Sequence, residues 1–117
     1  MKVLVIGAGG VGSAFARIAG LRRSFDQVII ADFDRARAER AAGLAGDGFS
    51  GVQLDASDES SIVELIHAES CDAVLNAVDP RFVMPIYRAA LTARVTYVDM
   101  AMSLSHPHPA DPYGTTG

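Results

Sequence analysis

Three glycines near the start of the chain, Gly7, Gly9 and Gly12, stand in the spacing G-x-G-x-x-G. Each has its own physical task. A glycine at 7 lets the backbone reverse where a Cβ would clash. One at 9 lets a pyrophosphate approach the main chain, and one at 12 lets a following helix lie close on its strand. The amide hydrogens along Ala8, Gly9, Gly10, Val11 and Gly12, at the turn and the first helical residues, then face an anion, and the helix dipole adds to the attraction. A dinucleotide is the ligand this chemistry suits.

Glycine spacing alone also occurs in structural turns, so context carries the reading: a strand before, a helix after and an acid about 20 residues further on. All three are present. The apolar run Val3-Leu4-Val5-Ile6 precedes the glycines, helical spacing follows them, and Asp32 ends a second apolar run, Val28-Ile29-Ile30-Ala31. At that strand end the Asp32 carboxylate accepts hydrogen bonds from the adenine-side ribose hydroxyls, which favours NAD because a 2′-phosphate would meet a negative charge. Arg35, three residues on, offers a guanidinium to such a phosphate, so NADP is the alternative.

Further along, Asp55 with Ala56 ends a third apolar segment. Its carboxylate suits the adenine amino group or, equally, a plain turn before Ser57. Asn76 sits inside the run Ala73-Val74-Leu75-Asn76-Ala77-Val78, where an unpaired buried amide costs on the order of 1–3 kcal/mol, so it requires a partner. The cofactor's ribose and a neighbouring loop carbonyl are both candidates. With Ala77 and Val78 it falls where the nicotinamide half of a dinucleotide would lie. Asp99 and Met100 end a fifth strand on the same edge, within reach of a substrate. His67, His106 and His108 are not spaced with acids or cysteines as metal ligands, so no metal site is expected. No triad, paired-carboxylate site or general base stands out, and catalytic residues stay unassigned.

The elements that must position these residues follow from periodicity. Strands are expected at the start of the chain, at 28–31, 51–54, 73–78 and 95–99. After Gly12, a helix with Val11, Ala14, Phe15, Ile18 and Leu21 facing inward ends at Gly20 and Arg22-Arg23-Ser24. Asp34 caps a second helix from Arg35 to about Leu44, broken up by Gly43, Gly46 and Gly48. Ser57 caps a third, running to about His67 with Ile62, Val63, Leu65 and Ile66 inward. Pro85 belongs in a first turn, which starts the fourth helix near Arg81 or Phe82. Alternating strands and helices with right-handed crossovers give an α/β fold, an open doubly wound parallel sheet of the Rossmann type, with five strands in the order 3-2-1-4-5. Residues 1–100 make this dinucleotide-binding domain. Residues 101–117, with His106-Pro107-His108-Pro109 and Pro112, read as a proline-rich exit linker towards an absent substrate domain.

Composition narrows the class. A chain of 117 residues, half of them hydrophobic, holds one cored domain and not two. A net charge of −4 without an aromatic-interleaved basic cluster argues against nucleic acid, and no apolar run nears the roughly 20 residues a bilayer crossing needs. The single Cys71 forms no internal disulfide and reads as core packing, which fits a reducing cytoplasm. The glycines interrupt the N-terminal apolar run, which argues against a signal peptide. An unprotected fifth strand at a sheet edge makes self-association, as a homo-oligomer, an expectation.

Taken together, Gly7 to Gly12 with Ala31-Asp32, Leu54-Asp55-Ala56-Ser57, Asn76-Ala77-Val78-Asp79-Pro80 and Tyr97-Val98-Asp99-Met100 resemble the N-terminal domain of the saccharopine dehydrogenase family. The resemblance implies a whole protein that catalyses nicotinamide-dependent oxidation of a secondary amine joining two amino-acid skeletons, or of a related amine or imine. In that family the substrate-binding and acid–base residues come largely from a later domain, so this chain is expected to bind cofactor without useful turnover. The glycine turn, Asp32 and the Asp55 segment also resemble regulatory domains of potassium transport, which sense NAD(H) or ATP and perform no chemistry.

Overall fold

Five strands, β1 (Lys2–Ile6), β2 (Gln27–Asp32), β3 (Phe49–Gln53), β4 (Ala73–Asn76) and β5 (Thr96–Asp99), pair in parallel in the order β3-β2-β1-β4-β5. The computed structural model describes residues 1–100; the expected linker at 101–117 lies outside the described residues. Helices α1 (Gly10–Arg22), α2 (Arg35–Ala45), α3 (Glu59–Glu69) and α4 (Val83–Ala93) connect the strands, the last entered through a single 3₁₀ turn at Pro80–Phe82. The sheet is the expected Rossmann-type α/β arrangement.

Alternation along the strands divides the core. Val3 and Val5 face the α1/α2 side, with Val28, Ile30, Ala38, Ala42 and Leu75, whereas Leu4 and Ile6 face α3 and α4, with Ile29, Ile62, Ile66, Val74 and Ile86. Central strands covered on both sides must be apolar throughout, which is why β1, β2 and β4 carry no alternation of polarity. At the edge, β3 is shifted two residues earlier at its start than its sequence suggests. Ser50 and Gly51 pair with Ile29 and Ile30 of β2, and Leu54 follows the strand as a buried residue whose amide donates to the Asp32 carbonyl.

Four helix features depart from expectation. The inward face of α1 is Gly12, Ala16 and Ala19, while Val11, Ile18 and Leu21 are 47%, 52% and 82% exposed. Close approach of the helix to the sheet decides this: small residues must face the strands even though larger apolar ones lie on the other side. Gly20 does not end α1 but lies within it, where a Cβ would come within 2.3 Å of the Ala45 carbonyl oxygen; the helix closes instead on Arg23 in the left-handed conformation. Likewise α2 runs through Gly43 and ends at Gly46, with φ of 101°. The cap of α3 is Asp58, not Ser57, because its carboxylate accepts from both the amide and hydroxyl of Ser61. Asp34 caps α2 as expected, accepting from the Arg37 amide, and Pro85 falls in the first turn of α4. No helix among the described residues is long and apolar enough to cross a membrane.

Candidate functional site

On the carboxyl edge of the sheet, Ile6 lies level with Ala31 on one side and with Asn76 on the other. The chain order therefore reverses across β1, and a crevice opens where the loops leave in opposite directions. A cleft of about 540 Å³ occupies this place. It brings together Gly7, Gly9, Asp32, Asp55, Ala56, Ala77 and Val78, and adds Phe33 and Arg37, which the sequence does not single out, with Leu54, Ser57, Asp79 and Phe82, which it marks only as motif or helix-start residues.

The three motif glycines divide into two kinds. At Gly7, with φ of +109°, a Cβ would lie 2.7 Å from the Ala77 carbonyl oxygen; at Gly12 it would lie 1.7 Å from the Gly7 carbonyl oxygen. Both are demanded by the protein's own packing. At Gly9 a Cβ would meet nothing within 4 Å, so the fold leaves open space beside this backbone. Gly9 is also the N-cap of α1 and makes no side-chain capping bond, whereas aspartates close the starts of α2 and α3. A cradle that a side chain would fill, next to an uncapped helix start, fits an anionic diphosphate.

Asp32 is held to this turn. Its Oδ2 accepts from the Ala8 amide and its Oδ1 from the Asp34 amide, both at 2.8 Å. The Ala8 amide, expected among the anion donors, is therefore engaged by Asp32, and buried Ala8 instead joins the glycine turn to the acid. The hydroxyl of Ser13 donates to the Ala8 carbonyl at 2.8 Å and ties the turn from the helix side. Gly10 and Val11 are exposed beside the turn, and Gly12 is buried against Gly7; none of the three lines the cleft.

Asp55 serves its turn and lines the cleft as well. Its Oδ1 accepts from the Ser57 hydroxyl at 2.6 Å and the Ser57 amide at 2.9 Å, and these bonds hold its carboxyl below the usual range. That hydroxyl bond also explains why Ser57 is not the helix cap.

Asn76, at 0% exposure, takes its protein partners from a side chain and a backbone amide rather than from the loop carbonyl anticipated as one alternative. Its side-chain amide donates to the Tyr97 hydroxyl, and its carbonyl oxygen accepts from the Val78 amide, each at 3.1 Å. Tyr97 in turn donates to Asp99 at 2.6 Å. Burial, reinforced by the Asp99 hydrogen bond, pushes the Tyr97 phenol up to about 12. Asn76 thus lies behind the cleft and positions the Ala77-Val78 loop that lines it. Asp99 is tied to Tyr97 rather than lining the cleft.

Two arginines near Asp32 have different fates. Arg35 Nε binds Glu39 one turn on at 2.9 Å, on an exposed surface, and is absent from the cleft lining. Arg37 lines it. Arg37 is the third residue of α2, whose start at Arg35 was legible in the sequence, but only the folded chain shows that Arg37 and not Arg35 lines the cleft. At the opposite lip, Asp79 accepts from the Arg81 amide at 3.0 Å, and the Arg81 guanidinium stands 5.2 Å from the Phe82 ring. Among the described residues no group of three or more His, Cys, Asp or Glu is arranged to hold a metal, and Cys71 is buried in the core.

A parallel sheet with a glycine turn, an uncapped helix start and a strand-end acid meeting at the reversal of strand order defines a dinucleotide-binding domain of the Rossmann type. The saccharopine dehydrogenase NADP binding domain family matches residues 3–114, and the chain belongs to that family. Its cofactor is accordingly a nicotinamide dinucleotide, NAD or NADP. Similar proteins include a carboxyaminopropylagmatine dehydrogenase from a Synechocystis strain, 31% identical over 86% of this chain and 25% of the relative. A carboxynorspermidine synthase from Vibrio cholerae is also 31% identical, over 89% of this chain and 28% of its own length. The chain thus spans about a quarter of the curated relatives it matches. A saccharopine dehydrogenase from Saccharomyces cerevisiae shares the fold with a TM-score of 0.77 at 19% identity, over 89% of this chain and 22% of that structure.

Proposed function

We propose that this chain is the cofactor-holding domain of an oxidoreductase acting on a secondary amine or imine of amino acids, with NAD preferred over NADP. The observation that carries the reading is the meeting, across the open side of Gly9, of an uncapped α1 start with the backbone-clamped Asp32 carboxylate. In this reading the amides from Gly9 to Gly12 hold the diphosphate, with Gly10 and Val11 at its outer side, and Asp32 accepts from the adenine-side ribose hydroxyls. Asp55 and Ala56 flank the adenine. Ala77 and Val78, fixed by Asn76, support the nicotinamide half. The bound cofactor supplies hydride transfer.

This chain's own residues bind and orient. The cleft carboxylates Asp32, Asp55 and Asp79 are all hydrogen-bonded to neighbouring amides, which suits them to shape loops rather than to move a proton. Residues 1–117 alone are therefore expected to hold cofactor and to turn over no substrate. The substrate class is supported by the relatives, a carboxyaminopropylagmatine dehydrogenase and a carboxynorspermidine synthase, both named for carboxylated amines.

Isothermal titration of the purified chain with NADH, NADPH and ATP tests the reading. One dinucleotide per chain is the expected result, with Gly9→Val abolishing binding while the thermal midpoint stays within a few degrees, because a side chain there enters open space. Preference for ATP over both dinucleotides would support a sensing role instead, and a folded chain that bound none of the three would overturn the proposal.

A further inference from the structure

The polar row behind the cleft has one consistent order of donors and acceptors. Asn76 lies level with Asp99 on the neighbouring strand, and Val74 with Tyr97, so alternation puts all four on the face that packs under α4. There the Tyr97 ring is set edge-on to Tyr87 of α4, with centroids 5.5 Å apart. The Oδ1 of Asn76 accepts from the Val78 amide; turned over, the side chain would set its NH2 against that N–H, donor against donor. The NH2 therefore points to the Tyr97 hydroxyl, which must accept, and the single phenol proton goes on to the Asp99 carboxylate. An acceptor-only group stands at one end of the row and the amide of a cleft-lining residue at the other. The residues so held have little room: a Cβ at Gly7 would lie 2.7 Å from both the Ala77 carbonyl oxygen and Val78 Cγ1, so Ala77 and Val78 sit tight against the glycine turn.

We infer that Tyr97 and Asp99, which do not line the cleft, are positioning residues for the nicotinamide half of the cofactor: they fix the direction of the Asn76 amide and, through it, the place of the wall formed by Ala77 and Val78. The inference rests on the dinucleotide reading above and deepens it. Without the Tyr97 hydroxyl the Asn76 NH2 is left buried and unpaired, a state the side chain relieves only by turning or shifting, and either movement gives up the Val78 bond. Without an acceptor at 99 the phenol proton competes for the Asn76 oxygen, and the same bond is weakened. At the adenosine end Asp32 and Asp55 are held by their own neighbours, through bonds the row does not share. The two halves of the site are positioned separately, and damage to the row falls on the nicotinamide half.

Calorimetric titration of the 117-residue chain with NADH, and with ADP, which carries the adenosine and diphosphate without the nicotinamide riboside, separates the two halves. The parent is expected to bind NADH more tightly than ADP. In Tyr97→Phe, NADH affinity is expected to fall about ten-fold, the cost of one buried donor left without a partner, while ADP affinity changes by less than about three-fold. Asp99→Asn, which keeps an oxygen to receive the Tyr97 proton, is expected to stay within about three-fold of the parent for both ligands, and Asp99→Leu, which removes it, to lower NADH alone by about five-fold. This second pair carries the test should Tyr97→Phe fail to fold. A general loss of packing would lower NADH and ADP together, so equal losses in Tyr97→Phe and Asp99→Leu would overturn the inference. An NADH-to-ADP affinity ratio that neither variant moved, or a parent that bound the two ligands equally, would also overturn it and leave dinucleotide binding standing. A folded parent that bound neither would remove both.

Discussion

Individual residues show most clearly which positions serve the fold and which serve a ligand. Gly7 and Gly12 are required by contacts the protein makes with itself, whereas Gly9 faces empty space, so one motif combines two structural glycines with one kept free for a diphosphate. The hydrogen-bonded row from Val78 through Asn76 and Tyr97 to Asp99 has a measurable signature at the same scale. The Tyr97 phenol is raised from 10.0 to about 12 by burial and by Asp99, so folding favours its protonated form. That contribution to stability is complete below pH 10 and is lost as pH rises from 10 through about 12. An ultraviolet tyrosinate titration should show one late phase, absent in Tyr97→Phe. A Tyr97 that ionised with an ordinary midpoint would mean that the row does not form.

At the scale of elements, small residues set how close the helices lie. Ala16 and Ala19 on α1 and Ala38, Ala41 and Ala42 on α2 are buried beneath their helices, and Gly51 of β3 lets α2 settle so near that a Cβ would come within 2.5 Å of the Ala38 carbonyl carbon and the Glu39 amide nitrogen. Gly51→Ala must therefore push α2 off the sheet. A destabilisation of about 1–3 kcal/mol is expected, since overpacking outweighs the gain of about 0.4–1 kcal/mol from a stiffer unfolded chain. Urea denaturation reads it directly. An unchanged urea midpoint would show that α2 can shift at no cost.

Across the whole molecule, the two faces of the sheet are not equally covered. On the α1 side, Val3, Phe15, Phe25, Leu75 and Val98 line an apolar hollow of about 200 Å³, and Val98 of the edge strand β5 is 49% exposed. Among the described residues no further strand pairs with the outer side of β5. A bare strand edge beside an apolar hollow promotes association between copies. Sedimentation velocity should show dimers or larger species growing with concentration, and Val98→Lys should return the chain to monomer by placing a charge on that edge. A parent chain that stayed monomeric at high concentration would remove this expectation.

Much of the fold was legible because it depends on terms that act over a few residues. Apolar runs, the Asp34 cap, the place of Pro85 and the distance from the glycines to Asp32 are local, and they were enough to place five strands in order and an acid at the switch point. What spacing could not decide were contacts between distant residues. Ala8 meets Asp32 and Asn76 meets Tyr97 across separations of 24 and 21 residues, and both bonds reassign groups that seemed available to a ligand. The inward face of α1 and the choice of Arg37 over Arg35 belong to the same kind. Hydrophobicity ranks side chains along one helix, but the gap between helix and sheet, known only once the chain is folded, selects which of them fit.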